Sequence, residues 1–124
     1  MNITIDPNGT WYHGSDAQFS ELRTGSTITQ WRALAEAFSH QPKVLCCEDD
    51  GSIIHNGKKH GYLYVIDEPV VVGEECYQHP RTTMDTNAEF LTKRPLKVRL
   101  IGELPVSSNM EAAFECLLKR YLNK

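Results

Sequence analysis

The sequence lacks the features that mark a nucleic-acid-binding, membrane-spanning or disulfide-built protein. Positive charge is in the minority: 13 Lys and Arg stand against 16 Asp and Glu, a net charge of −3. Nucleic-acid binding leans on clustered cations that displace counterions, so this balance does not support a DNA or RNA partner. The local run Lys58-Lys59-His60 is too short to change that and reads as a solvated loop. No apolar run is long enough to span a bilayer. The opening "MNITIDPNG" has no charged region followed by an apolar one. The expectation is no membrane partner and a cytoplasmic location.

Cysteine usage points the same way. Cys46, Cys47, Cys76 and Cys116 include no C-x-x-C pair, and two of them are adjacent, so reduced thiols fit better than a disulfide framework. The five histidines are scattered. His55 and His60 share a loop, but the chelating spacing of a zinc site is missing, and no metal is expected. There is no G-x-G-x-x-G or G-x-x-x-x-G-K stretch, which removes support for a Rossmann or P-loop nucleotide site. Repeats, low-complexity tracts and linkers are also missing. With 124 residues, the chain suits a single domain over 1–124.

What is present reads as α+β. Thr10 to His13 suggests a strand, followed by a short segment from Phe19 to Leu22 and a turn at Thr24-Gly25. "TQWRALAEAFSH" puts Trp31, Leu34, Ala35 and Phe38 on one stripe, with Thr29 as N-cap. "KVLCCE" reads as a strand with Cys46 and Cys47 on opposite faces, and Asp50-Gly51 and Asn56-Gly57 are turn signals. "GYLYVID" and "PVVVGE" read as strands, Cys76 to Pro95 as irregular, and "LKVRLIGEL" as a half-buried strand. Ser108 and Glu111 form a capping box for a last helix buried through Phe114, Leu117, Leu118 and Tyr121. With few helices to serve as crossovers, the strands must pair largely antiparallel.

The stretch that invites a functional reading is Tyr12-His13-Gly14-Ser15. A strand ending in His-Gly is followed by "GSTIT", a helix of the Ala-x-Ala-Phe type, "GYLYVIDEP", the acidic pair Glu74-Glu75, and "RPLKVRLIGEL". This series resembles the ADP-ribosyltransferase superfamily, most like its small bacterial rifamycin ADP-ribosyltransferase branch, over about Trp11 to Leu104. The resemblance implies two small, mainly antiparallel sheets that form a cleft with flanking helices. It also implies NAD as the bound substrate and an NAD-dependent ADP-ribosyltransferase activity. His13 would bond a ribose hydroxyl and take part in the site. Gly14 would offer its backbone to the nicotinamide carboxamide, and Ser15 would add a hydrogen bond or begin the loop. Glu75, or Glu74 beside it, would stabilise the oxocarbenium-like transition state. Arg81 would pair with the pyrophosphate, with Arg23 and Arg32 as further cations and His79 unassigned.

One position departs from the family. Where it places an aromatic to stack on nicotinamide, this chain has Thr27, which has no π-face. Trp31 and Tyr64 are the candidate substitutes. The departure keeps two alternatives open: a catalytically inactive NAD- or nucleotide-binding module, and a protein-interaction domain of phage or defence origin. The acceptor of ADP-ribose, a small molecule or a protein, is not legible in the sequence.

Overall fold

The structure, a computed structural model, describes residues 3–48 and 50–122. Its larger sheet has four strands in the spatial order β1 (Tyr12–Ser15), β6 (Gly61–Ile66), β9 (Leu96–Leu104) and β2 (Glu21–Leu22). A second sheet runs β3 (Thr27–Ile28), β8 (Phe90–Thr92), β7 (Cys76–Gln78), and β4 (Leu45–Cys47) pairs with β5 (Ile53–His55) as a hairpin. The helices are α1 (Arg32–Ser39) and α2 (Ser108–Leu122). Every pair of named strands is antiparallel. The molecule is therefore a small α+β protein. Among the described residues no helix is long and apolar enough to cross a membrane.

Period-two alternation builds the main core. Trp11, Tyr64, Leu96 and Val98 from the larger sheet meet Ile28, Cys76 and Phe90 from the smaller one. Trp11 and Phe90 touch edge to face, with ring centroids 5.1 Å apart. Tyr64 is fully buried, and its hydroxyl donates to the Ala17 carbonyl at 2.8 Å while accepting from the Phe19 N–H at 3.2 Å. A second cluster of Leu34, Ala37, Ile53 and Ala88 lies under α1, with Trp31, Phe38 and Met84 packed against it.

Two glycines set how close α1 comes to the sheet. A Cβ on Gly14 would stand 1.8 Å from the Ala35 carbonyl oxygen, and one on Gly61 would stand 2.0 Å from Ser39 Oγ. The helix thus rests on bare backbone of β1 and β6, the close approach that glycine within a strand permits.

The structure corrects several expectations about the elements. Thr29 does not cap α1: its Oγ1 accepts from the Trp31 N–H at 3.0 Å, and the extended Trp31 occupies the cap position without a side-chain bond. "PVVVGE" is not a strand. Val71 and Val72 are exposed, and the segment closes a turn through Glu74 N–H and Glu75 N–H to the Val71 carbonyl. The "irregular" span from Cys76 to Pro95 instead holds β7 and β8. Ser107, not Ser108, caps α2, its Oγ accepting from the Asn109 N–H at 3.2 Å. On α2, Leu117 is buried and Phe114 half-buried, while Leu118 is exposed; the Tyr121 side chain lies outside the described residues. The Asp50-Gly51 turn does close the β4–β5 hairpin, with Gly51 at φ 86°.

The four cysteines are free. Burial pushes the Cys76 thiol up to about 11, with the nearby Glu75 charge adding to the shift, so it stays protonated. His55 does not sit in an open loop. It is buried and stacked on His40 with ring centroids 5.3 Å apart, and its Nδ1 accepts from the Gly57 N–H. His60 lies apart from it, 3.4 Å from Glu103.

Candidate functional site

The larger and smaller sheets meet beside β1 and then part. Tyr12 exchanges both backbone bonds with Thr29, at 2.7 and 3.0 Å, whereas the Trp11 carbonyl accepts from Ile66 on the β6 side. Antiparallel alternation returns the backbone of Gly14 to the Tyr12 edge, two residues on. There β3 has already diverged. The Gly14 N–H and C=O have no partner on that edge among the described residues. One donor and one acceptor are left side by side, facing a lobe lined by His13, Gly14, Thr27, Phe38, Gln41, Pro42 and Glu89.

His13 bridges the parting sheets. Its Nδ1 lies 2.6 Å from the Thr27 carbonyl oxygen, which fixes Nδ1 as the donor and leaves Nε2 as an acceptor in the neutral ring. Burial holds its pKa below the ordinary imidazole value, against a smaller opposing effect of the Thr27 bond. The ring is flanked by Phe19 and Tyr64. At neutral pH, then, His13 presents a fixed lone pair suited to a ligand hydroxyl.

The same sign governs stability. His13 and His55 are both held low, chiefly by burial, and His40 adds to the shift at His55. A depressed folded pKa means that the unfolded chain binds more protons in the window between the folded value and the ordinary 6.5. Their contribution is therefore complete above that value and is lost as pH falls through the folded pKa values. Urea midpoints are expected to be level above about pH 7 and to drop below about 6.5, with both imidazole NMR titrations centred below 6.5. Midpoints that stayed level down to pH 5 would contradict this.

Glu89 is the carboxylate that the fold brings to His13. In β8, Phe90 and Thr92 point into the core, so Leu91, and Glu89 just before the strand, fall on the other face with Thr27, which pairs with Leu91. Glu89 is half-buried, its backbone carbonyl accepts from the His79 N–H, and its Oε2 accepts from the Thr82 hydroxyl. Glu89 and Phe38 also line a larger neighbouring lobe of about 820 Å³, beside the roughly 300 Å³ lobe of His13. The two lobes thus meet at a waist formed by a carboxylate and an aromatic ring. The larger lobe also contains Trp31, Lys43, His79 and Arg81. The smaller lobe is at the low end of drug-sized sites and the larger is well inside that range.

The residues singled out in the sequence fall into three groups. His13, Gly14 and Thr27 share the smaller lobe, and Trp31 and Arg81 line the larger. Ser15 lines neither; its Oγ accepts from the Ala17 N–H and starts the turn. Glu74 and Glu75 belong to neither lobe. Glu75 stands opposite Lys93, whose N–H donates to its carbonyl; Lys93 is four residues along the chain from Glu89, the two flanking opposite ends of β8. That is roughly 13 Å at strand spacing. Arg23 and Arg32 also lie outside both lobes: Arg32 covers the Tyr12 ring and reaches Glu36. Tyr64, fully buried, cannot stack on a ligand, and the ring in the smaller lobe is Phe38. Glu89 and Phe38 were missed. The available signals were a lone carboxylate between Ala88 and Phe90, both apolar, and a ring one turn beyond Leu34 on α1.

No protein-family model, curated protein or solved structure matches this chain. No group of three or more His, Cys, Asp or Glu side chains is placed to hold a metal ion among the described residues.

Proposed function

We propose that the groove binds NAD and that the protein is an ADP-ribosyltransferase with Glu89 as its catalytic carboxylate. The observation that carries this reading is the convergence of Glu89, the His13 lone pair and the unpaired backbone edge of Gly14 on one groove. A carboxamide has one acceptor and one donor group, the complement of the Gly14 C=O and N–H. Phe38 offers the face on which the nicotinamide ring stacks, in place of the aromatic missing at Thr27. The His13 Nε2 accepts from a ribose hydroxyl. Arg81 and Lys43 supply cations for the pyrophosphate in the larger lobe.

The chemistry asks little of the protein beyond placement and charge. The bond from ribose C1′ to the nicotinamide nitrogen breaks, and nicotinamide leaves with the electron pair. Positive charge spreads over the ribose ring. The Glu89 carboxylate at the waist stabilises that charge in a site that excludes part of the water. The acceptor nucleophile then bonds C1′ and releases its proton. The departure at Thr27 favours a second reading, in which NAD is bound and not cleaved.

Two measurements on the purified protein separate these readings. Nicotinamide release from NAD, with and without cell extract, is expected to be positive, as is a thermal shift of a few degrees at saturating NAD. A shift without release supports the binding module. The absence of both removes NAD from the account.

A further inference from the structure

Thr82 has no assigned role, yet it is the side chain that holds Glu89. Its hydroxyl accepts from the Met84 N–H at 3.2 Å and donates to Glu89 Oε2. The accepted bond fixes the direction of the donated one, because the backbone N–H occupies a lone pair and leaves the hydroxyl proton for the carboxylate. The other Glu89 carboxylate oxygen makes no hydrogen bond among the described residues. Thr82 itself sits in a braced loop. His79 Nδ1 accepts from the Arg81 N–H at 3.0 Å, the His79 N–H donates to the Glu89 carbonyl at 3.0 Å, and Asn87 Nδ2 donates to the Ile3 carbonyl at 2.9 Å.

We propose that Thr82 is a positioning residue that pins one oxygen of the Glu89 carboxylate and so keeps the other directed to the cation formed at the waist of the groove. This rests on the reading of Glu89 given above. A carboxylate at the end of a flexible side chain otherwise samples several rotamers, and electrostatic stabilisation of a developing charge decays with small displacements.

The test compares T82V, which keeps the shape and removes the hydroxyl, with T82S, which restores it. T82V is expected to lower kcat for nicotinamide release about tenfold and to leave KM for NAD within about twofold, since Thr82 does not line either lobe. T82S is expected to recover most of the rate. The 13C resonance of the Glu89 carboxylate, assigned by its loss in E89Q, is expected to move in T82V and to return in T82S. An unmoved resonance in T82V would overturn the proposal, whatever NAD does. A normal kcat in T82V beside an active wild type would overturn it alone. An inactive wild type would remove the reading of the function, and the catalytic role of Thr82 with it.

Discussion

E89Q is expected to reduce nicotinamide release by about 10²–10³-fold, the scale of losing one preorganised charge at a reacting centre. Glutamine keeps the size and the hydrogen-bonding reach of the side chain and removes only its charge. NAD binding, carried by Gly14, His13 and Phe38, is therefore expected to survive, with the NAD-induced thermal shift retained. E75Q is the paired control. Glu75 stands at the far end of β8 beside Lys93 and lines neither lobe, so the rate is expected to be unchanged. The reverse pattern, with E75Q inactive and E89Q normal, would move the chemistry to the other end of the sheet and invalidate the waist as its location.

The second large effect is on stability. G14A places a methyl group 1.8 Å from the Ala35 carbonyl oxygen and 2.8 Å from the Ser39 nitrogen, both backbone atoms of α1. Neither can rotate away, so the helix must lift from the sheet. Overpacking of this kind costs 1–3 kcal/mol and occasionally more. With backbone on both sides of the clash, about 3 kcal/mol and a fall in Tm of roughly 10 °C are expected. G102A is the control, because a methyl group there meets nothing within 4 Å. Its expected effect is within about 0.5 kcal/mol. Equal melting of the two variants would show that α1 is not seated on Gly14.

The glycine after His13 thus has a structural reason apart from any ligand. The missing side chain admits the helix on one side of β1, and the unpaired backbone faces the groove along the edge. The family resemblance gives the Gly14 backbone to the ligand; the atoms that a side chain there would meet first belong to α1.

Elements with enough length to show a period were legible. β6 and β9, at six and nine residues, alternate clearly over part of their length, and α1 carries its apolar stripe. β7 and β8 were not legible, since three residues each give no period, and Tyr77 and Gln78 are exposed. Their pairing comes from the sheet that receives them, not from local propensity. The run Val70-Val71-Val72 misled for the opposite reason: β-branched residues favour strands, but among the described residues this run makes only one isolated bridge, Val72 to Cys76 of β7, and two of the three stay exposed. The site divides the same way. His13 and Gly14 were visible because they sit together in the chain. Glu89 was hidden because the strand that carries it was.

α1 meets β1 main chain to main chain at Gly14, and it meets β6 through the small side chain of Ser39 at Gly61. The height of Phe38 above the edge of β1 is therefore set by this close seating of α1 on Gly14 and Gly61 and not by the rotamers of the Trp11–Phe90 core on the opposite face. Changes of residue in that interior can accumulate through evolutionary drift without altering the spacing between the aromatic wall and the strand edge, so the cleft is insulated from the turnover of the residues that keep the protein folded.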